Sequence, residues 1–405
     1  MKKIVSVLAR GAVWSSALNL TKSTLGGGVL TLQYAAKLNG IPMLLILLLI
    51  GAILTYVSIN MLALACQVTG KSGYDEIAHS LYGRGMAIAV GVAMVSNCFG
   101  AAVSYVQAIS KATAWIPLHP YWRTLVISTF PLAPLGCIYR INSLRYFSLA
   151  GVIGVTLLAF TTVYALLRSG VADTITQDPA VLWRIDPTGN MVKAFSTITF
   201  SYVCHYNIPH IYSELQVKEP QTMKKVALAS LTLSTSVYLT AAICGYLAFG
   251  TDMASDVLSC LQPYVNAGDL FVKTAVIGCV LSICVAHSLH VYPIRQTAEY
   301  FALQMNDKFQ GSKILVISLG IVVVYLSWVV AIFGPKLQTT IELVGASAAS
   351  AIAYIFPALF AVKLKLDKGV KASDIAALWL PYLVLFMGTA AGVGGTYYAV
   401  LDFFH

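Results

Sequence analysis

A run of three glycines interrupts the first long apolar segment of the chain, beside residues that could bind a charged ligand. Glycine weakens a helix, and a run of three at mid-depth is costly to its stability. Non-helical backbone at membrane depth is tolerated only where it is buried in protein or lines a cavity. Backbone N–H groups freed in this way suit a carboxylate. The residues concerned are Lys22, Ser23, Thr24, Gly26, Gly27 and Gly28.

A second polar interruption lies in the middle of the sixth apolar segment, at residues 201–207. Pro209 follows, and proline removes a backbone donor and clashes with the carbonyl four residues earlier, here that of His205. We therefore expect a break around 204–208 that leaves carbonyl oxygens free for an ammonium group. The candidate residues here are Ser201, Tyr202, Cys204 and His205, and Asn97 of the third segment could reach the same site. Together the two breaks would hold the two charges that all α-amino acids share.

Three of these residues also have structural explanations. Lys22 at mid-depth costs at least roughly 2.5–3.5 kcal/mol to insert, which favours a functional role, but it could instead reach a water-filled vestibule or pair with a carboxylate. His205 could support unwound backbone through a hydrogen bond, or it could titrate, because histidine changes charge near neutral pH. Asn97 could serve as polar packing between helices.

The elements that carry these residues are apolar throughout. The 405 residues are 58% hydrophobic and only 10% charged, whereas a soluble domain has roughly 25% charged residues. The composition therefore predicts an all-α integral membrane protein, since a helix of roughly 20 residues crosses the bilayer and satisfies its own backbone. Eleven apolar segments fit this length, at approximately 11–35, 41–66, 86–110, 121–139, 146–167, 191–213, 226–249, 268–292, 314–334, 337–362 and 373–401.

The basic residues predict the orientation. With the N-terminus in the cytoplasm, 17 of the 26 Lys and Arg residues fall on the inner side, 8 fall on the outer side and Lys22 lies within the first segment. This bias places the C-terminus on the extracellular or lumenal side. The net charge of +10 then belongs to cytoplasmic loops and does not indicate nucleic-acid binding. The eight cysteines have no metal-ligand spacing, so we expect neither a metal nor a cofactor, and no oligomer motif argues against a monomer.

The first and sixth segments are the two interrupted ones, and five segments separate their starts. Paired interruptions in corresponding positions of two halves are typical of transporter binding sites. We therefore predict a single transmembrane domain over 1–405. It would consist of a first repeat at about 11–167, an inverted second repeat at about 191–362 and an additional helix at about 373–401.

Five sequence blocks resemble the amino acid/auxin permease family, most closely its sodium-coupled neutral amino acid transporter branch. The block NLTKSTLGGGVLTLQYAAKLNGI resembles its first span, and FSYVCHYNIPHIYSEL is similar to its sixth. The other three blocks are TGKSGYDEIAHSLYGRGMAIAVGVAMVSNCFGAAVSYV, VYPIR and IELVGASAASAIAYIFPALFAVKL. The resemblance implies a fold like the bacterial leucine transporter, with a 5+5 inverted repeat, discontinuous helices 1 and 6, and a central amino-acid site.

Two positions depart from the sodium-coupled branch. Where that branch has Asn in the first span and Thr in the eighth, both associated with sodium, this chain has Lys22 and Ala286. The proton-coupled branch resembles this chain in having Lys at the first position. We therefore expect sodium-independent transport, with Lys22 standing in place of the ion and coupling transport to protons if it titrates.

The resemblance and the breaks together favour a transporter of neutral amino acids in the plasma membrane or in a lysosome- or vacuole-like membrane. The alternative is a membrane sensor that binds an amino acid without moving it. Such a sensor is expected to carry a substantial cytoplasmic domain, and about ten residues precede the first segment here. An enzyme would need a nucleophile–base pair or a metal set, and the sequence has no such constellation.

Overall fold

A computed structural model describes residues 11–138, 145–185, 189–305 and 313–404, without the side chains of 145–151, 300–305 and 402–404. In the described chain all regular structure is helical. Eight helices are long and apolar enough to cross a membrane. They lie at Leu32–Thr69, Arg84–Ala112, Val152–Ser169, Pro220–Phe249, Leu270–Glu299, Lys313–Phe333, Leu337–Leu366 and Ile375–Leu401. The chain is therefore a multi-pass membrane protein.

The full helix bounds follow the order of the chain. The long helices are α2 (Leu32–Thr69), α4 (Arg84–Ala112), α7 (Arg145–Ser169), α11 (Pro220–Phe249), α13 (Leu270–Met305), α14 (Lys313–Phe333) and α17 (Ile375–Phe404). The shorter ones are α1 (Val13–Thr24), α3 (Tyr74–Tyr82), α5 (Pro120–Ile127), α6 (Ala133–Gly136), α8 (Asp173–Gln177), α9 (Gly189–Tyr202), α10 (Ile208–Glu214), α12 (Val257–Asn266), α15 (Leu337–Val344) and α16 (Phe356–Leu366).

Three of the eleven predicted segments lack an uninterrupted helix of spanning length. The first breaks after α1, the fourth changes to a π-helix at Ser128–Leu132 between α5 and α6, and the sixth breaks between α9 and α10. Interrupted helices of this kind are common where a membrane protein lines a cavity. The number of spans and the inverted repeat stay predictions at this stage.

The first and second predicted segments meet within α2. Gly40 has φ +74° and ψ 169°, so the helix bends there, and the residues before Gly40 continue the first segment. A Cβ atom at this position would overlap the carbonyl oxygen of Arg184, which only glycine avoids. Five of the basic residues assigned to the inner side lie outside the described residues: Lys2, Lys3, Arg10, Arg140 and Lys308.

Small residues let the helices approach closely. Gly154 of α7 faces Gly278 of α13, where an added Cβ at position 154 would lie 2.5 Å from the Gly278 carbonyl oxygen. Close approach of backbones supplies the packing that a hydrophobic effect cannot supply between helices in lipid. Helix ends are satisfied by buried side chains, as where Arg295 donates hydrogen bonds to the carbonyl oxygens of Gly136 at 2.6 Å and Ile138 at 2.8 Å.

Candidate functional site

Helix α1 ends at the glycine run. Its last hydrogen bond joins the Leu25 N–H to the Thr21 carbonyl at 2.7 Å, and Gly26 then takes φ −129° and ψ −140°. Gly27 and Gly28 begin a short 3₁₀ helix, Gly27–Leu30, whose exit is held by a 3.1 Å bond from the Thr31 N–H to the Gly28 carbonyl. The helix is therefore broken at Leu25 and Gly26, whereas the following two glycines are re-coiled more tightly.

Helix α9 ends in the polar part of the sixth segment. Its last residue is Tyr202, and Cys204 has φ −132° and ψ 5°. A 3₁₀ turn at His205–Asn207 follows, and α10 begins at Ile208 with Pro209 in its first turn. Proline is tolerated at that position because the first N–H groups of a helix have no intrahelical partner.

The two breaks are tied to one another. The Tyr238 hydroxyl of α11 lies 2.6 Å from the Thr24 carbonyl and 2.6 Å from the Ser201 carbonyl, so one hydroxyl hydrogen serves the ends of both α1 and α9. The Asn207 side-chain amide donates to the Ser23 hydroxyl at 2.9 Å. These bonds satisfy helix-end groups that would otherwise be left unpaired in the interior.

A small cavity opens beside the first break, with about 260 Å³ of free space between the atoms that line it. Its lining comes from α1 and the glycine run, from α4, from α9 and from α13, and comprises Ser23, Thr24, Gly26, Gly27, Gly28, Asn97, Ala101, Tyr105, Phe200, Val203 and His290. The Asn97 side chain is only 1% exposed, and neither its oxygen nor its nitrogen has a hydrogen-bond partner in the described chain. Buried polar atoms are rarely left in this state unless a ligand or water completes them. We call this space the polar cavity.

A second space lies on the other side of Gly26 and Tyr105, with about 270 Å³ between its lining atoms. Its walls come from the glycine run, α4, α7 and α13, and comprise Leu25, Gly26, Leu30, Tyr105, Val155, Cys279, Ser282, Ile283 and Ala286. Most of these side chains are aliphatic, so we call it the apolar cavity.

The structure therefore separates the candidate residues into groups. Ser23, Thr24, the three glycines and Asn97 line the polar cavity. Ala286 lines the apolar cavity, and its carbonyl lies 2.9 Å from His290 Nδ1. Lys22 is half-buried, close enough for its charge to act on His290.

The remaining candidates of the sixth segment lie behind the cavity wall. Ser201 packs against Gly28 and donates its hydroxyl to the Thr197 carbonyl at 2.7 Å. The Tyr202 hydroxyl lies 2.7 Å from that of Thr235, and Cys204 is fully buried. His205 is also fully buried, with its Nε2 atom 2.7 Å from the Ser58 hydroxyl, an arrangement that fits the structural explanation.

The sequence did not single out Tyr105 or His290 as part of the site. Their rings pack edge to face with centroids 5.2 Å apart, and His290 also lies 3.0 Å from the Tyr206 hydroxyl. Tyr105 stands eight residues after Asn97, with Ala101 between them, so all three lie on one face of α4. That spacing was a signal for Tyr105 once Asn97 had been chosen. Among the described residues no group of three His, Cys, Asp or Glu side chains could hold a metal ion.

Comparison with known proteins gives a consistent family. A family model described as "Transmembrane amino acid transporter protein" matches residues 9–401. The amino acid transporter AVT6E of Arabidopsis thaliana is 23% identical over 419 residues, covering 96% of this chain and 83% of the relative. The sodium-coupled neutral amino acid symporter 2 of Danio rerio is 23% identical over 423 residues, covering 96% and 82%.

One solved structure has a similar fold. The crystal structure of MhsT in complex with L-phenylalanine superposes with a TM-score of 0.64, at 14% sequence identity, over 95% of this chain and 98% of that one. This likeness shows that the two chains share a fold across nearly their whole lengths.

Proposed function

Because the chain belongs to the transmembrane amino acid transporter family, we propose that it moves neutral amino acids across the membrane by alternating access, without sodium. Membership of the family makes it a transporter and not an enzyme. The proposal adds the substrate class, the binding site, the coupling and the architecture. It assigns eleven spans in a 5+5 inverted repeat, with the N-terminus in the cytoplasm.

One observation carries the choice of site: the buried, unpartnered Asn97 side chain faces the polar cavity at the break of the first helix. An asparagine amide offers one acceptor oxygen and two N–H donors, so it can bind both the ammonium and the carboxylate of a zwitterion. Gly26 and Gly27 leave the backbone open to close approach on the opposite wall. We place the α-amino and α-carboxyl groups of the substrate between these two walls.

The lining supports neutral substrates. Among the residues that line the polar and apolar cavities no Asp, Glu, Lys or Arg occurs. A charged substrate side chain buried there would lack a counter-charge, and an unpaired buried charge is costly. Lys22 lies nearby, through its effect on His290, and would repel a basic substrate more than an acidic one.

The apolar cavity supports transport without sodium. Sodium prefers oxygen ligands, and Ala286 contributes only a methyl group where the sodium-coupled branch has a hydroxyl. Lys22 would then supply the positive charge from within the chain. If Lys22 releases its proton during the cycle, transport is coupled to protons; if it stays charged, the protein acts as a uniporter or exchanger.

Uptake of a radiolabelled amino-acid panel into proteoliposomes tests the proposal. We expect saturable uptake of neutral amino acids that persists when choline replaces all sodium at fixed pH. Loss of most uptake on that replacement would refute sodium independence. Saturable glutamate uptake with negligible uptake of alanine, serine and glutamine would refute the substrate class.

A Lys22→Met variant tests the coupling. If Lys22 carries the transported proton, the variant should lose the dependence of uptake on pH between about pH 5.5 and about pH 8. The exposed Lys225 at the start of α11 offers a matched control, since Lys225→Met removes the same charge away from the cavities. An active Lys22→Met variant with the wild-type pH profile would remove Lys22 from the coupling mechanism.

A further inference from the structure

The apolar cavity adjoins the polar cavity through two residues that line both, Gly26 and Tyr105. The Tyr105 hydroxyl sits directly over Gly26, since a Cβ atom added there would lie 2.7 Å from it. A molecule whose charged end occupied the polar cavity would therefore need to extend only past this tyrosine to enter the apolar one. The arrangement matches an amino acid, in which one carbon atom joins the charged groups to the side chain.

The walls of the apolar cavity determine which side chain fits. Leu25 and Leu30 come from the first segment, Val155 from α7 and Ile283 from α13, and all are buried. Surfaces of this kind favour hydrocarbon, and each methylene buried there raises affinity about fourfold. Among the lining residues hydroxyl groups occur only in Ser282 and Tyr105. The cavity therefore suits an aliphatic side chain and offers little to a strongly polar one.

The size of the apolar cavity is set by a close contact between α7 and α13. Gly154 meets Gly278 there, next to Val155 of the lining, and an added Cβ at position 154 would also lie 3.2 Å from the Ser282 Cβ. Because backbone touches backbone at this point, the two walls cannot move closer, and any separation breaks their packing. A fixed wall of this kind limits the length of the side chain that the cavity accepts.

We propose that the apolar cavity is the side-chain subsite of the transporter, and that it selects neutral amino acids with aliphatic side chains. Ile283 and Val155 limit the length, and Ala286 leaves the space that the side chain fills. This inference rests on the proposed function, because it assumes that the α-amino and α-carboxyl groups bind in the polar cavity. It adds a specificity determinant contributed by α7 and α13.

Variants that enlarge or fill the cavity test the inference. Ile283→Ala and Val155→Ala enlarge it from two different helices, and Ala286→Leu fills it. Leu281→Ala is the matched control, because Leu281 lies on the same helix as Ile283 but is 64% exposed on the outer surface of the bundle. The readout is the transport efficiency of each variant for glycine, alanine, valine, leucine and phenylalanine, expressed as ratios between substrates.

The enlarging and filling variants should change selectivity in opposite directions. We expect Ala286→Leu to lower the leucine-to-alanine ratio by about tenfold or more, and Ile283→Ala and Val155→Ala to raise the phenylalanine-to-leucine ratio by a similar factor. Leu281→Ala should keep the wild-type ratios. Because ratios are compared within one variant, a reduced amount of folded protein does not alter them.

Two other outcomes overturn the inference in distinguishable ways. If the variants transport but all ratios stay within about twofold of wild type, the cavity is a packing gap and the proposed function is untouched. If the wild-type protein transports no neutral amino acid, the proposed function fails together with its subsite. Complete loss of transport in all three cavity variants is resolved by leucine binding to the purified proteins: unchanged relative affinities for leucine and alanine would also overturn the inference.

Discussion

Alanine at position 28 tests the close contact between the two broken helices. An added Cβ there would overlap the Ser201 side chain and lie 2.7 Å from the Ser201 Cα atom. Non-bonded carbon atoms sit about 3.5–4.0 Å apart, so the α9 backbone would have to retreat by about 1 Å. The Tyr238 hydroxyl holds the Ser201 carbonyl at 2.6 Å and opposes this movement.

The expected cost of Gly28→Ala is that of overpacking, about 1–3 kcal/mol. If the strain falls on the conformation in which the two breaks meet, it changes the population of that conformation by about 5- to 150-fold. We therefore expect at least a fivefold fall in the rate of neutral amino acid uptake by proteoliposomes. Size-exclusion chromatography and thermal unfolding of the purified variant measure how much of the loss reflects misfolding.

The neighbouring glycine is the control. A Cβ at position 27 would lie 3.4 Å from both the Phe200 and Tyr105 ring carbons, which a small shift of either ring accommodates. Gly27→Ala should therefore keep uptake within about threefold of wild type, whereas the larger Gly27→Val should abolish it while leaving the protein in the membrane. Wild-type uptake by Gly28→Ala, or an equal loss in both alanine variants, would contradict the packing argument.

Three further substitutions test the site and its supports. Asn97→Leu should raise the KM for neutral amino acids by about tenfold, through the loss of about 1.5–3 kcal/mol of hydrogen bonding to charged groups; an unchanged KM would exclude Asn97 from the site. Tyr238→Phe removes the donor shared by the Thr24 and Ser201 carbonyls, and should destabilise the protein by about 1–3 kcal/mol in thermal unfolding, with wild-type stability as the contrary result. Arg295→Lys cannot reach both carbonyls of α6 and the loop after it, so it should lower the unfolding temperature without changing substrate preference, and an altered preference would show a different role.

The sequence determined the features that depend on local composition and backbone chemistry. Long apolar segments with few charges predict membrane helices, and eight such helices occur in the described chain. Two of the interruptions also follow from local chemistry, because glycine at positions 26–28 and Pro209 impair helices wherever they are placed. Family membership could be recognised for the same reason, since its motifs are short blocks of sequence around these breaks.

Only the tertiary structure decided which side chains face the cavity. Tyr202, Cys204 and His205 stand in the same polar stretch as the carbonyls of the break, yet they pack behind it, and His205 contacts Ser58 of α2. Tyr105 and His290 belong to helices distant in sequence, and they reach the site because α4 and α13 pack beside the glycine run. Composition and spacing do not specify that packing. At a helix break the 3.6-residue period ends, so the direction of each side chain depends on which distant helix satisfies the freed backbone groups.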